Sequence, residues 1–476
     1  MIKPGAVSNQ QGAAQFREHL PTATETGARI WVYPRKPKGR HYRARTYVSW
    51  LLLALMFIGP FIKIGGNPLL MFNVVDRKFS IFGQMFWPSD TFIFAVAMVI
   101  FFIMIGVFTA AFGRVWCGWV CPQTILMEMV FRKIEYLIDG DFIAQKRLAR
   151  QPWNAQKIFK RLLKNGIFFA LSFVVGNWLL MYVISYEGWH KVVFADPRNH
   201  LGGLGAMLGF SAVFFLIFAR FREQVCTFIC PYGRFQTVMM DENSLIVSYD
   251  PKRGEKRARF SKAVPFDVRK TQGLGHCIDC KACVDVCPTG IDIRNGLQME
   301  CVHCTACIDA CDHVMTKLNL PRGLIRYASV KGIEENKPFR ITGRVIGYCA
   351  VLALLGCLLG YLLVSRTDIQ ATFLRAPGSL YQQSGENKFT NLFLMKVRNK
   401  TKKESVVELK MIEPADGVAK LAGLSKIGPQ TIESAAATVE LPQSDIHEGQ
   451  CSIIVGLYAD GKLVQKLRSN FVGPEK

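Results

Sequence analysis

Eight cysteines in one short block have the spacing of iron–sulfur ligands. The motif C-x2-C-x2-C-x3-C occurs twice, at Cys277, Cys280, Cys283 and Cys287, and then at Cys301, Cys304, Cys307 and Cys311. In two-cluster ferredoxins the fourth cysteine of such a motif ligates the other cluster. We therefore predict two 4Fe-4S clusters, the first held by Cys277, Cys280, Cys283 and Cys311, the second by Cys301, Cys304, Cys307 and Cys287.

A pair of zinc sites is the alternative interpretation of this block. Structural zinc is usually bound by separated ligand pairs rather than by three-plus-one runs of cysteine, which favours iron–sulfur chemistry. Lys281, Arg294 and Lys317 lie nearby and could offset the negative charge of the clusters. A solvated surface position is the simpler interpretation of each of these three cations.

Four further cysteines form a repeat. The segments GRVWCGWVCPQT and REQVCTFICPYG each follow an apolar stretch and contain C-x3-C-P, with the pairs Cys117/Cys121 and Cys226/Cys230. On helical backbone both thiols of a pair would share one face. The proline after each pair suits the first position of a new helix, so Cys121 and Cys230 would lie at helix N-termini, where the macrodipole favours thiolate.

The chemistry of these four thiols has several candidates. Matching elements in two membrane halves usually meet around a shared site. Four soft ligands would suit copper, a further iron–sulfur centre as a third metal centre, or a reversible disulfide. Ordinary packing of buried cysteine is the alternative. We predict a redox or metal role and leave the choice of chemistry open.

Five apolar stretches approach the ~20 residues that span a bilayer, at Tyr47–Ile62, Thr91–Phe112, Asn165–Tyr186, Leu204–Phe221 and Val345–Val364. Loop 113–164 carries ten Lys and Arg residues, whereas 63–90 and 187–203 carry three and two. Positively charged short loops stay cytoplasmic. We therefore place the basic N-terminal segment 1–46, loop 113–164 and region 223–344 in the cytoplasm.

Composition excludes some classes of protein. The 476 residues are 50% hydrophobic, which excludes a disordered chain, and the formal net charge is +23. The predicted topology accounts for most of this basicity. No DNA- or RNA-binding motif accompanies it, so we predict no nucleic acid among the partners.

Residues 366–476 are predicted to form an all-β domain on the opposite side of the membrane, outside the cytoplasm. Val407, Leu409 and Met411 alternate with charged residues, and Asp460–Gly461 is a hairpin signal. About 100 residues of short strands fit an immunoglobulin-like sandwich. The predicted fold is thus a multidomain membrane protein with about five transmembrane α-helices (47–222 and 345–364), a cytoplasmic dicluster ferredoxin-like domain at about 270–320, and this sandwich.

The combination of motifs resembles the FixG/CcoG family of membrane polyferredoxins, accessory proteins of bacterial cbb-type cytochrome c oxidases. The resemblance is carried by RVWCGWVCPQT, VCTFICPYGRFQ, SLIVSYDPKRGE, DACDHVM and PRGLIRY, and it runs from about Ile30 to the C-terminal sandwich. It implies a multi-pass protein of the bacterial inner membrane with a role in oxidase assembly. It also implies reduction of Cu(II) to Cu(I) as the activity.

The residues and the resemblance favour one hypothesis, a cupric oxidoreductase. A cytoplasmic donor, not identifiable from the sequence, would reduce the clusters, and copper would be substrate or transient ligand at Cys117, Cys121, Cys226 and Cys230. The expected partners are cbb-type oxidase assembly factors or a copper transporter, and membrane lipid, and a homo-oligomer is left open. One alternative is an electron-transfer subunit linking quinol or a cytoplasmic donor to a respiratory partner without copper chemistry. Another is a non-catalytic assembly scaffold that acts through the sandwich.

Overall fold

The computed structural model describes residues 22–24, 26, 28–73, 78–87, 90–194, 196, 198, 200–260, 269, 271–378, 381–385, 387–446 and 449–474. Most of the predicted N-terminal segment, 1–21, lies outside these described residues. The chain divides into two compact units, Met1–Leu359 and Gly360–Lys476.

Helices dominate the first unit. They are α1 (Arg40–Ile58), α2 (Thr91–Phe112), α3 (Val115–Trp119), α4 (Pro122–Ile125), α5 (Arg132–Ile138), α6 (Phe142–Arg150), α7 (Ala155–Phe194), α8 (Leu201–Leu216), α9 (Pro231–Met239), α10 (Pro251–Gly254), α11 (Ala282–Asp285), α12 (Ala306–Lys317), α13 (Val330–Glu335) and α14 (Gly343–Val364), the last crossing into the second unit. Three π-helical segments adjoin them, Leu126–Phe131, Ile217–Phe221 and Val225–Ile229. Short 3-10 turns cover Gly59–Phe61 and Ile293–Asn295.

Five helices among the described residues are long and apolar enough to cross a membrane, α1, α2, α7, α8 and α14. The five predicted spans are confirmed as helices, but the boundaries of two of them, α1 and α7, are wrong. Helix α1 begins at Arg40 instead of Tyr47, and α7 runs for 40 residues with a kink at Ser185, where φ is 66°. Basic residues that favour helix continue these helices beyond their apolar stretches, so 155–164 belongs to α7 and not to a loop.

Short strands that the sequence analysis did not predict complete the first unit. Between α1 and α2 lie β1 (Lys63–Ile64), β2 (Asn67–Pro68), β3 (Leu70–Asn73), β4 (Lys78–Ile81) and β5 (Gln84–Phe86). β6 (Ile246–Tyr249) and β7 (Ile325–Ala328) pair antiparallel, with Tyr249 opposite Ile325. One strand of this ribbon precedes the cysteine block in the sequence and the other follows it. Val247 and Ile325 of the ribbon, with Leu324 just before β7, pack with Met315 of α12 to form the core of that region.

The second unit contains two antiparallel sheets. Its strands are β8 (Ile369–Arg375), β9 (Gln382–Gln383), β10 (Lys388–Asn399), β11 (Ser405–Glu413), β12 (Val418–Ala422), β13 (Lys426–Ile427), β14 (Ile432–Pro442), β15 (Gln450–Ala459) and β16 (Lys462–Val472), with a 3-10 turn at Gln443–Asp445. One sheet has the order β12-β14-β10-β8, with β9 on β10, and the other has the order β13-β11-β15-β16.

A common core lies between these sheets, as expected for a sandwich. Phe393 and Val397 of one sheet and Val455 and Leu457 of the other are fully buried in one group. In β11, Val407 and Leu409 are buried while Glu408 and Lys410 are exposed, which confirms the predicted alternation. Asp460 and Gly461 form the turn between β15 and β16, with φ of 47° and 80°, as a type I′ hairpin requires.

Candidate metal centres and membrane-edge thiols

The first cysteine cavity lies between α11, α12 and the loop before α11. Its thiols are those of Cys277, Cys280, Cys283 and Cys311. Apolar side chains of the β6–β7 ribbon and of α12 close the rest of the wall, among them Tyr249, Met315 and Leu324. The structure thus brings the fourth cysteine of the second motif to the first three of the first motif. The corresponding ligand set stays a prediction.

The second cysteine cavity has the reciprocal composition. Cys287 joins Cys301, Cys304 and Cys307 in its lining, and Cys283 also reaches it. Helix α11 packs against α12. This contact places the fourth cysteine of each motif, Cys287 or Cys311, in the cavity lined by the other motif. Crossing over is therefore a consequence of how the two short helices meet.

The donor set of both cavities fits an iron–sulfur cluster. Burial raises the pKa of Cys301 to about 12 and that of Cys304 to about 11. These thiols therefore keep their protons without a metal and release them when a metal binds to the sulfur. Soft sulfur donors around an enclosed apolar space are the environment in which such clusters are held. Each cavity would hold one cluster through its four thiols.

Arg294 corrects the expectation of solvated cations around the block. Its side chain is only 5% exposed, and it pairs with Asp292 and Asp279 at 2.6 Å each. Nη1 also lies 4.0 Å from Sγ of Cys277. Lys281 and Lys317 are exposed, as the simpler interpretation expected. Two carboxylates already balance the charge of Arg294, so beside Cys277 it acts as an N–H donor toward sulfur.

The C-x3-C-P pairs lie where helices restart. Cys121 and Cys230 occupy the N-cap positions of α4 and α9, each followed by proline in the first turn, which confirms that part of the prediction. The helical segment that holds the first cysteine of each pair ends at the second cysteine, because Cys121 has φ −58° and ψ 123° and Cys230 has φ −72° and ψ 112°. Proline disfavours helical backbone in the residue before it.

The two pairs nevertheless come together as a thiol quartet, defined as Cys117, Cys121, Cys226 and Cys230. Burial raises the pKa of Cys226 to about 12, and the charges of the other three thiols raise it further. All four are partly buried and unpaired by disulfides. In the described part of the chain, no group of three or more His, Cys, Asp or Glu side chains is arranged to hold a metal ion.

The quartet adjoins the second cysteine cavity through Cys117. This residue packs against the buried group Val286, Val302, Cys304 and Ala306. Its neighbour Gly118 has no room for a side chain, because a Cβ there would lie 2.4 Å from the carbonyl oxygen of Val302. Helix α3 is therefore pressed directly onto the backbone between two of the predicted cluster ligands.

Sequence analysis missed the polar residues that hold this contact. The backbone N–H of Arg114 donates to Nδ1 of His303 at 3.0 Å. Burial, and then the charge of Arg114, lowers the pKa of His303 to about 3, so the ring is neutral and can accept. Buried Gln236 on α9 lies with Nε2 3.4 Å from Sγ of Cys117. Nothing in motif spacing singles out these residues.

A buried ionic group joins the two halves of the repeat. Arg222, just before the second pair, donates from Nη1 and Nη2 to both carboxylate oxygens of Glu135 on α5, at 3.0 and 2.9 Å. Lys164 of α7 lies 3.1 Å from the same carboxylate. Burial raises the pKa of Glu135, but the charges of Arg222 and Lys164 outweigh it, and the pKa falls to about 2.

Helix α12 is also tied to the membrane part. The carboxylate of Asp309 accepts from the backbone N–H groups of His41 and Tyr42 at 3.1 and 2.8 Å. It thereby caps the N-terminus of α1, the first candidate membrane helix, where free N–H groups need acceptors. The cysteine block is thus anchored to α1 as well as to α3.

Comparison with protein families finds three matching domains. A family model described as a 4Fe-4S dicluster domain matches residues 221–330, and one described as a 4Fe-4S binding domain matches 94–146. A third, the Ig-like fold at the C-terminus of FixG, matches 359–474. These matches support iron–sulfur clusters and the immunoglobulin-like sandwich.

Several characterised proteins are similar over much of the chain. The nitrogen fixation protein FixG of Rhizobium meliloti (strain 1021) is 33% identical over 319 residues, which cover 66% of this chain and 60% of that protein, less than two thirds of its length. Protein RdxA of Cereibacter sphaeroides is 33% identical over 77% of this chain and 79% of its own. Protein RdxB of the same organism is 31% identical over 87% of both.

Proposed function

The chain belongs to the FixG family of iron–sulfur membrane proteins, and we propose that it reduces Cu(II) to Cu(I) for the assembly of a cbb-type cytochrome c oxidase. The observation that carries this proposal is the position of the thiol quartet. It gathers four soft ligands at the end of two candidate membrane helices, with Cys117 packed against the second cysteine cavity.

The two cysteine cavities would hold the electron carriers. Cys277, Cys280, Cys283 and Cys311 would hold one 4Fe-4S cluster, and Cys287, Cys301, Cys304 and Cys307 the other. When bound, such clusters supply one-electron transfer. The chain's own contribution is to bury or partly bury these thiols, except that of the exposed Cys280, to place Arg294 beside one of them, and to fix the second cavity against α3.

The thiol quartet would bind the substrate. Each Cu(II) takes up one electron and becomes one Cu(I), and a thiol that binds copper releases its proton. Thiolate sulfur prefers the softer Cu(I), so coordination by the quartet favours the reduced product. Because the four thiols are not arranged around a single ion in this structure, copper binding would draw them together.

Orientation and partners complete the proposal. The excess of Lys and Arg in loop 113–164 favours a cytoplasmic position for this loop and for the cysteine block. The protein would then lie in the bacterial inner membrane with its immunoglobulin-like sandwich in the periplasm. A reducing compartment also suits thiolate ligands. Oxidase assembly factors or a copper transporter would receive the Cu(I).

Copper binding by anaerobically purified protein tests this function. The double variant Cys117→Ser/Cys226→Ser removes one thiol of each pair and should lose copper binding and Cu(II) reduction while keeping its iron. Cys349→Ser/Cys357→Ser is the matched control, since both of its cysteines are exposed on α14, and it should behave as wild type.

The outcome separates the alternatives. A protein that holds iron and transfers electrons but neither binds nor reduces copper would refute copper chemistry in favour of an electron-transfer subunit. Iron and acid-labile sulfide analysis of the same samples counts the clusters. About eight irons per chain correspond to two 4Fe-4S clusters, and about twelve would assign the quartet to a third.

A further inference from the structure

A wide cleft opens where the first candidate membrane helix begins. Its volume is about 980 Å³. One wall is the first part of α1 from Tyr42 to Tyr47, another is α5, and the floor is formed by small residues of α11 and α12, Ala282 and Ala310 among them. Because α1 continues into its apolar part immediately after Tyr47, the cleft lies at the edge of the membrane.

The cleft is strongly basic. Its lining includes five cations, Arg35, Lys36, Lys38, Arg43 and Lys133. None of them forms an ion pair with another of the residues that the structure describes. Among the described residues of the lining, the one acid is Asp141, whose Oδ1 already accepts the backbone N–H groups of Lys36 and Phe142, at 3.2 and 2.8 Å.

The positive charges are close enough to act on each other. Burial, and then the charge of Lys36, lowers the pKa of Lys133. The remaining polar groups that the described lining offers are hydroxyls and one imidazole, those of Tyr42, Tyr47, Tyr136, Thr46 and His313. We call this lining the basic cleft, and its unbalanced charge calls for an anionic ligand.

Apolar side chains stand exposed around the same opening. Leu137, in the lining, is 84% exposed and Tyr47 is 73% exposed. One turn further along α1, Trp50 is 62% exposed, and Nζ of Lys133 lies 5.7 Å from its ring centroid. Cations next to exposed aromatic and leucine side chains are typical of the boundary between headgroups and acyl chains.

We propose that the basic cleft binds the phosphate headgroup of an anionic phospholipid, with the acyl chains against the exposed apolar residues beside it. Basic pockets beside transmembrane helices recognise such headgroups. A soluble phosphorylated compound offers the same phosphate chemistry, but it has no acyl chain to pack against Leu137 and Trp50. This inference does not depend on copper reduction.

Lipid binding to delipidated full-length protein in detergent tests the proposal. Phosphatidylglycerol, phosphatidylcholine and inorganic phosphate are the three probes, and native mass spectrometry measures the bound fraction. The variant Arg43→Gln/Lys133→Gln removes two cations of the cleft with a residue that favours helix. Lys317→Gln/Lys331→Gln is the matched control, because it removes two exposed cations outside the cleft.

The proposal predicts that wild type binds phosphatidylglycerol in preference to phosphatidylcholine. The cleft variant should bind it about thirtyfold more weakly, at roughly 2 kcal/mol for two cations, and the control should match wild type. Equal binding of both lipids, an unchanged cleft variant, or inorganic phosphate binding as tightly as the lipid would each overturn the proposal.

A second measurement does not depend on the variant folding. Binding of phosphatidylglycerol to wild type should weaken as ionic strength rises, because four of the five cations are exposed to solvent and are screened. Binding that does not change with salt would contradict an electrostatic headgroup site.

Discussion

Replacing Glu135 should weaken the whole first unit, because this carboxylate joins α5, α7 and the segment before the second cysteine pair. The change Glu135→Gln keeps the size of the side chain but removes its charge. It leaves Arg222, whose side chain is 4% exposed, without its anion, whereas the equally buried Lys164 keeps a second carboxylate, that of Asp139, at 2.5 Å. Breaking a buried ion pair from one side typically costs about 3–5 kcal/mol.

The pKa of Glu135 gives an independent magnitude. It falls from the ordinary 4.5 to about 2 in the folded protein, and a shift of this size corresponds to roughly 3 kcal/mol of stability at neutral pH. Since the folded-state pKa is depressed, this contribution is fully present above about pH 4.5 and is lost as pH falls toward 2. The Gln variant should lack that acid-dependent contribution.

Chemical denaturation in mild detergent measures both effects. Tryptophan fluorescence follows the unfolding of this chain, which has eight tryptophans. Trp31 contributes a signal from the site itself, because the guanidinium carbons of Arg29 and Arg222 lie 3.9 and 5.3 Å from its ring centroid. Glu187→Gln is the control, since its pair with Lys63 is about half exposed and should cost less than about 1 kcal/mol. Equal stability of wild type and Glu135→Gln at neutral pH would refute the reasoning.

Three further substitutions probe the contacts of the site and the sandwich. Gly118→Ala should lower the rate of copper reduction and the stability while iron content is retained, because the new methyl group would meet the carbonyl oxygen of Val302. Overpacking of this kind typically lowers the free energy of unfolding by about 1–3 kcal/mol. A wild-type rate of copper reduction would contradict that contact. Gln236→Leu should lower copper affinity about tenfold, as loss of a supporting hydrogen bond to Cys117 commonly does, and an unchanged affinity in an equilibrium titration would argue against it. Gly461→Val should lower the free energy of unfolding of the sandwich by about 1–2 kcal/mol, because it forces a β-branched residue into left-handed backbone. The sandwich should then unfold at a lower denaturant concentration while the iron content is unchanged. An unaltered unfolding midpoint would exclude strain in this turn.

Local spacing predicted much of the site. The crossover of Cys287 and Cys311 follows from short loops and two short helices, and these are encoded within some forty residues. The restart of helices after Cys121 and Cys230 was predictable because proline acts on its nearest neighbours. The hairpin at Gly461 was predictable for the same reason, since turn backbone selects its residues locally.

Long-range contacts were not predictable in this way. Glu135 and Arg222 are 87 positions apart, and their pairing depends on how α5 and α8 each pack against α7 rather than on any pattern in either segment. The same holds for Gln236 beside Cys117 and for Arg294, whose burial depends on the fold of the loop around it. The ends of α1 and α7 were missed because hydropathy marks the lipid-facing part of a helix and not its polar turns.

A single-turnover copper assay tests the central claim most directly, that the cysteine cavities supply the electrons and the thiol quartet receives the copper. Protein is reduced with dithionite, freed of excess reductant under strict exclusion of oxygen, and mixed with Cu(II) and a Cu(I)-specific chromophore. The account predicts about two Cu(I) per wild-type chain, one for each 4Fe-4S cluster, and about half or less for Cys277→Ser, with iron content falling in parallel. Equal yields of Cu(I) from wild type and from Cys277→Ser lacking a cluster would contradict it.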